Sequence, residues 1–250
     1  GVKVFGGFAG TETRREQRNP LCHTTILSGD IGARNNPADN AFTVVFIANA
    51  NEQTTLDGFI ISSGYANGVG AQADLDRSGG GLYVLGNNPQ ANCKPLIRHC
   101  IFQDNYARDG GAIYVNGKGG RCNPVFDNCQ FFNNQADQDG GAVFNDGRVG
   151  GEASPEFLNC AFRENEGNYG AALCNYGGKG KSSPALRDCI FSNNHAYLKG
   201  GAIYNVDVEG SAKPVVNNCQ FLENTATAGK NIAMFGVEET AVKLMSGNEK

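Results

Sequence analysis

Apolar and polar residues alternate along most of this chain in short runs, which Asn, Gly or Pro interrupts every five to eight residues. After Cys129, for example, Phe131 follows at a spacing of two, and "GGAVF" begins nine residues beyond it. A spacing of two is typical of strands, whereas amphipathic helices need apolar residues three or four apart. The pattern therefore predicts many short strands joined by turns and no long helix.

The same phrase recurs five times from residue 100 onward, at intervals of 29, 31, 29 and 30 residues, with a proline five residues before each copy. A unit of about 30 residues cannot close a core alone and must stack on its neighbours. We therefore expect an all-β solenoid with about three short strands in each coil. The copies begin at Cys100, Cys129, Cys160, Cys189 and Cys219.

Stacking would place equivalent residues of successive coils about 4.8 Å apart, so that they form ladders along the axis. We expect the cysteine and phenylalanine ladders to point inward. The asparagine ladder falls at the next bend, where an amide can bond to the backbone and tolerate left-handed geometry. The paired glycines allow a tight turn or a close backbone approach. The phenylalanine ladder consists of Phe102, Phe131, Phe162, Phe191 and Phe221. The asparagine ladder consists of Asn105, Asn134, Asn165, Asn194 and Asn224.

The repeat also suggests how the chain is divided, as a single domain over 1–250. Weaker copies of the pattern lie upstream of the regular ones, and the chain opens inside an apparent strand, "VKVFGGF", with no signal peptide, as if cut from a longer protein. The predicted parts are irregular first coils over 1–57, a coil at 58–99 with an insertion at about 64–78, regular repeats over 100–232, and a C-terminal cap and tail over 233–250.

Charge and composition limit the classes of binding partner that this chain is expected to have. The net charge is −4 with acids and bases interspersed, so no basic stripe suits a phosphate backbone, and we expect no nucleic-acid partner. No apolar run reaches the length of about 20 residues that spans a membrane, so we expect no transmembrane segment in this chain. The 35 glycines and the lack of tryptophan agree with frequent turns.

The nine cysteines follow the repeat rather than a disulfide framework. Ladder cysteines stacked a strand spacing apart are too distant for easy disulfides, and we interpret them as small apolar filler. Cys93 and Cys122 each lie seven residues before a ladder cysteine, in a loop, and are the candidate disulfide. A pair of free thiols is the alternative.

Acidic residues do not form a clear active site. Asp109 and Asp139 precede the glycine pair in neighbouring copies, and we regard them as catalytic candidates, with solvated turn residues as the alternative. Asp74 and Asp76 lie in the insertion and are candidate ligands for calcium, although their spacing does not match an EF-hand. Calcium is the one cofactor that the sequence leaves open.

An aromatic residue follows the glycine pair in most copies. If the residue before it faces inward, strand alternation puts the aromatic outside, in a row about one coil apart. Such a row could stack on sugar rings or contact a protein, and the alternative is that it packs under a loop or at a corner of the solenoid. The candidate binding row is Tyr83, Tyr114, Phe144 and Tyr204, interrupted by Cys174.

The combination of F-x-x-N with a following G-G-A-[ILV] closely resembles the repeat of the polymorphic outer membrane proteins of chlamydial surfaces. Full matches begin at Phe102, Phe131 and Phe191, whereas the copies at Phe162 and Phe221 have "GAAL" and "GKNI" instead. The opening "VFGGFAGTETRREQRNP" also looks like the early coils of bacterial surface proteins with pectin-lyase-like β-helices. The resemblance implies a right-handed parallel β-helix and an exported, secreted or cell-surface protein.

For function, the same scaffold carries enzymes, adhesins and inert stalks. Our leading hypothesis is a non-enzymatic extracellular scaffold for adhesion, surface display or assembly, with glycans or surface proteins as partners. A carbohydrate-active domain, either a polysaccharide lyase or a glycosidase, is the second hypothesis, with the insertion as one wall of its groove. Self-association of exposed end coils into a filament is the third.

Overall fold

The structure of the protein, a computed structural model, describes residues 1–34 and 36–236. Within this part of the chain, 27 strands form four parallel sheets, and each strand pairs with strands one turn earlier or later. The protein is a β-solenoid of about seven turns of roughly 30 residues, as the repeat predicts. The helices among these residues are two short 3₁₀ turns, Arg15–Gln17 and Pro37–Asp39.

The first two turns are irregular and have the longest connections. The first turn contains β1 Lys3–Phe5, β2 Thr25–Ser28 and β3 Val45–Ala48. The second contains β4 Thr55–Asp57, β5 Phe59–Ser62, β6 Tyr65–Ala66 and β7 Leu82–Leu85. The connection from β6 to β7 covers residues 67–81, and we call it the inserted loop.

Turns three to seven are regular, with four strands each. The third and fourth turns contain β8 Leu96–Arg98, β9 Ile101–Gln103, β10 Tyr106–Asp109, β11 Ile113–Asn116, β12 Val125–Asp127, β13 Gln130–Phe132, β14 Gln135–Asp139 and β15 Val143–Asp146. The fifth and sixth contain β16 Glu156–Leu158, β17 Ala161–Arg163, β18 Glu166–Tyr169, β19 Leu173–Tyr176, β20 Ala185–Arg187, β21 Ile190–Ser192, β22 His195–Lys199 and β23 Ile203–Val206. The seventh contains β24 Val215–Asn217, β25 Gln220–Leu222, β26 Thr225–Ala228 and β27 Ile232–Met234.

We number the sheets by the order in which a regular turn visits them. Sheet 1 contains β1, β4, β8, β12, β16, β20 and β24, and sheet 2 contains β2, β5, β9, β13, β17, β21 and β25. Sheet 3 contains β6, β10, β14, β18, β22 and β26, and sheet 4 contains β3, β7, β11, β15, β19, β23 and β27. The predicted cap over 233–250 lies, beyond residue 236, outside the described residues.

Each regular turn has four strands rather than the three expected, because single residues bend the chain sharply. Asn128, with φ of 53°, separates β12 from β13, and Asn133, with φ of 51°, separates β13 from β14. Asn and Asp tolerate this left-handed region better than most residues. A connection of two residues, the first with positive φ, is thus enough to turn the chain into a new sheet, and one run of sequence becomes two strands.

The core contains the predicted apolar ladders. The phenylalanine rings of sheet 2 stack nearly parallel, with centroids 5.3 Å apart for Phe102 and Phe131 and 4.5 Å apart for Phe131 and Phe162. The ladder cysteines from Cys100 to Cys189 are buried beside them. The inward orientation of both ladders is confirmed.

The asparagine ladder bonds as expected, but its residues do not take the left-handed conformation. The Nδ2 of Asn134 donates to the carbonyl of Phe102 at 2.9 Å and to Oδ1 of Asn165 at 3.0 Å. The residue before each ladder asparagine, such as Asn133, has the positive φ instead. The chain of amides therefore satisfies buried backbone carbonyls at the bend.

The two glycines of the repeat have different tasks. Gly110 has a φ of +64°, which disfavours any residue with a Cβ atom. At Gly111 a Cβ atom would lie only 2.3 Å from the carbonyl oxygens of Gln135 and Gly141. The pair thus combines a turn and a close backbone approach at the corner between sheets 3 and 4, which is also where the candidate residues lie.

Candidate functional site

The corner between sheets 3 and 4 brings together most of the side chains singled out from the sequence. Asp109 and Asp139 end β10 and β14 and are paired in register. The aromatic row lies on the neighbouring strands of sheet 4, and the inserted loop with Asp74 and Asp76 lies over them. Catalytic, aromatic and calcium candidates are thus parts of one region.

The aromatic row is buried, so the expectation of an exposed row is wrong. Tyr114 and Phe144 have no exposed surface, and Tyr83 and Tyr204 are 3% and 6% exposed. Centroids are 5.2 Å apart both for Tyr83 with Tyr114 and for Tyr114 with Phe144.

The reason for this burial is the sharp glycine turn between the sheets. The row does leave the main core, but it enters the angle between sheets 3 and 4, where a second apolar cluster forms. Tyr169 of β18 and Tyr176 of β19 pack against this cluster, and so does Ala73 of the inserted loop. The row therefore packs under a loop and at a corner of the solenoid, in agreement with the alternative interpretation.

Asp109 and Asp139 are not solvated turn residues either. Asp109 has no exposed surface, and Asp139 is partly buried. The Oδ2 of Asp109 accepts hydrogen bonds from Nη1 of Arg108 at 2.8 Å and from Nε2 of Gln72 at 3.3 Å. Its Oδ1 is buried without a hydrogen-bond partner among the described residues.

Burial governs the protonation of this pair. Loss of solvation, followed by repulsion from Asp109, raises the pKa of Asp139 to about 7. Burial also raises the pKa of Asp109, against the attraction of the Arg108 guanidinium. Near neutral pH the two carboxyl groups therefore hold a proton that a solvated aspartate pair would have lost.

The structure adds two residues that sequence analysis missed, Asp146 and Arg148. Arg148 binds Asp146 through both nitrogens of its fork, with Nε–Oδ1 and Nη2–Oδ2 distances of 2.7 Å. Its third nitrogen, Nη1, donates to Oε1 of Gln72 in the inserted loop at 2.8 Å. The hydroxyl of Tyr114 donates to Asp146 at 2.7 Å. Arg148 thus joins the loop to sheet 4.

One signal in the sequence could have revealed this pair. The outward position at the end of the sheet 4 strand is Leu85, Asn116, Tyr176 and Val206 in turns two, three, five and six, but Asp146 in the fourth turn. A carboxylate in that column needs a counter-charge when it is covered. The residues that form the resulting group, which we call the covered cluster, are Gln72, Arg108, Asp109, Asp139, Asp146 and Arg148.

The covered cluster is suited to holding the inserted loop rather than to turning over a substrate. Asp109 pairs with Arg108 and Asp146 pairs with Arg148 beneath the loop, and buried pairs of this kind are costly to break. Two surface grooves of the described residues, of about 1070 and 710 Å³, are lined by other side chains.

The acids of the inserted loop bond within the loop itself. Asp76 accepts the backbone N–H of Gly70 at 3.1 Å, and Asp74 accepts that of Ala71 at 2.6 Å. No group of three or more His, Cys, Asp or Glu side chains with metal-binding geometry occurs in the part of the chain described. A calcium site at Asp74 and Asp76 stays a prediction.

Cys93 and Cys122 are neighbours in space, on an isolated parallel bridge, and both are buried. Both are free thiols in the structure, and a disulfide between them stays a prediction. A hydrogen bond between the two thiols lowers the pKa of Cys93, whereas burial raises that of Cys122. The Cys122 thiol also donates to the carbonyl of Val84.

The larger groove lies at the corner between sheets 1 and 2 and is open to solvent. Residues 15–25 form part of one wall, and residues of turns two to five form its floor. At its base the buried carboxylate of Asp57 is 2.6 Å from Nη2 of Arg18 and 3.1 Å from Nδ1 of His99. We call it the basic groove, after Lys3, Arg15, Arg18, Arg98, His99 and Arg163.

These features define a class, a β-solenoid repeat protein with a constant core and variable outer faces. Three segments, residues 99–116, 128–146 and 188–206, match the model of the family described as Chlamydia polymorphic membrane protein (Chlamydia_PMP) repeat. They cover less than a quarter of the chain and coincide with the full motif copies. No curated protein and no solved structure matches the chain.

The repeat and the fold together indicate a surface-type β-helix protein. A surface location is also what the motif resemblance implies. Among the described residues, no helix has the length and apolar character needed to cross a membrane.

Proposed function

We propose that the protein is a non-enzymatic extracellular scaffold that presents its outer faces for adhesion or assembly. The observation that carries this proposal is the environment of the two candidate catalytic carboxylates. Asp109 is fully buried and bonded to Arg108, and Asp139 lies beside it at the covered corner. A general acid or base must come within hydrogen-bonding distance of its substrate, and these carboxylates are poorly placed to do so.

The distribution of variable positions also supports a display role. In sheet 1 the inward residue is apolar in successive turns: Ile97, Phe126, Phe157 and Leu186. The outward residue that follows it changes chemistry from turn to turn: Arg98, Asp127, Leu158 and Arg187. A solenoid of this kind can change its surface without disturbing its stacking.

One observation favours the carbohydrate-active alternative. Asp57 is buried and fixes the ring of His99 at the edge of an open groove, as a carboxylate orients a catalytic histidine. The inserted loop, expected as one wall of such a groove, does not line it.

Two measurements on the purified chain test the proposal. Beads coated with the chain are incubated with cultured cells, with beads carrying heat-denatured chain as the control, and we expect retention that needs the folded chain. In parallel, acidic polysaccharides are incubated with the chain and examined for new reducing or unsaturated ends, and we expect none. Turnover that disappears in Asp139→Asn or His99→Asn would overturn the non-enzymatic role, and equal retention of both bead types would overturn adhesion.

A further inference from the structure

The basic groove has the shape and charge of a site for an extended anion. It follows the corner between sheets 1 and 2 from the first turn to the fifth, where Arg163 lies. Four strand spacings of about 4.8 Å make this about 19 Å along the axis. The groove is therefore suited to a linear chain lying along the solenoid rather than to a small compact ligand.

Positive side chains outnumber negative ones in the groove. Five lysine or arginine residues line it, against the three carboxylates of Glu16, Glu52 and Asp57. Of these cations, Lys3 and Arg163 form no ion pair among the described residues, and Arg163 is exposed. Charge is thus available at both ends of the groove, in a protein whose net charge is −4.

His99 departs from the pattern of its column. Residues at this bend have positive φ in every regular turn, and the others are Asn128, Asn159, Asp188 and Asn218. Histidine at φ of 49° is locally less favourable than asparagine, and such departures cluster at functional positions.

Asp57 explains how this histidine is oriented. A carboxylate can only accept a hydrogen bond, so Nδ1 of His99 donates to it, and the other ring nitrogen is left for a ligand. Arg18 holds the second oxygen of Asp57 and also donates to the carbonyl of Gly6 at 3.0 Å. The ring is therefore held in place before any ligand arrives.

We propose that the basic groove binds a linear acidic polysaccharide, whose carboxylates contact Arg163 and Lys3 and whose hydroxyls contact His99 and the groove floor. Asn128, Gln130 and Asn159 supply amide donors and acceptors on that floor, which suit hydroxyl groups. A single-stranded nucleic acid fits less well. Proteins bind such strands by stacking the bases on free aromatic side chains, and the ring of Phe5 in the groove is covered by Arg15 and Arg18.

This inference rests on the proposed function and supplies its ligand class. The test is calorimetric titration of the full chain with galacturonate decamers, with the fully methyl-esterified decamer as the uncharged control. We expect binding of the acidic decamer only, and weaker binding as salt increases.

Variants identify the groove. We expect Arg163→Gln and His99→Asn each to weaken binding about fivefold, the loss of one exposed charge contact or hydrogen bond. Asparagine is already present at this bend in neighbouring turns, so His99→Asn should fold. Arg187→Gln is the matched control, since Arg187 is an exposed arginine that ends a strand of the neighbouring sheet 1 and lies outside the groove, and binding by this variant should be unchanged.

Every outcome decides the inference. Absent binding, or equal affinities for all variants, overturns the groove as the site, while bead adhesion separately decides the scaffold role. Equal binding of single-stranded DNA of the same charge overturns the assignment to polysaccharide. Cleavage of the decamer that His99→Asn abolishes supports the groove and overturns the non-enzymatic role.

Discussion

Replacement of Asp139 by asparagine tests the electrostatics of the covered cluster. Burial and the neighbouring Asp109 raise the pKa of Asp139 from 3.8 to about 7 in the folded protein. Below about pH 4 both folded and unfolded chains hold this proton, so the group makes no difference to stability. Between about pH 4 and 7 only the folded chain keeps it, and the free energy of unfolding falls by about 4 kcal/mol as pH rises.

Asparagine resembles the protonated carboxyl group at every pH. We therefore expect Asp139→Asn to match the parent within about 1 kcal/mol at pH 4 and to be more stable by up to about 4 kcal/mol at pH 8. Urea unfolding followed by far-ultraviolet circular dichroism at a series of pH values measures both. Asp137→Asn, an exposed position on the same strand, is the control. Parallel pH profiles for Asp139→Asn and the parent would refute the reasoning.

Three further predictions concern the fold. Phe131→Ala should lower the free energy of unfolding by about 3–5 kcal/mol in urea, because the ring stacks between two others in the core. Gly111→Ala should cost about 3 kcal/mol through its clash with backbone oxygens, whereas Gly150→Ala, with open space around it, should cost about 1 kcal/mol. Arg148→Gln should expose the inserted loop to limited proteolysis, and unchanged cleavage would argue against its role in fixing the loop.

Sequence pattern was enough to identify the repeating core. The spacing of two between Cys129 and Phe131, repeated every 30 residues or so, requires that both side chains face one way and stack with their equivalents. Alternation is a property of the extended backbone itself, so it is readable without the fold. The sequence also indicated correctly that Cys93 and Cys122 are neighbours in space, and both are free thiols in the structure.

The outer side of the strands was less predictable. Tyr114 alternates with inward residues and leaves the main core as expected, but whether an outward side chain meets water depends on the angle to the next sheet. That angle is set by Gly110 and Gly111, and the cover over it comes from a loop more than 30 residues earlier. The alternative interpretation of Asp109 as a solvated turn residue is wrong for the same reason, because the residue is buried at this corner.

The basic groove was not predictable from the sequence either. Arg18, Asp57 and His99 are up to 81 residues apart in the chain and belong to no motif, yet the stacking of turns brings them to one corner. The sequence by itself determined the strand character of the chain, the ladders and the turn length, although not the number of strands in a turn, because these three depend on local backbone geometry and a strict period. Only the tertiary structure decided which polar groups are covered and which face the groove, because burial depends on how distant segments pack.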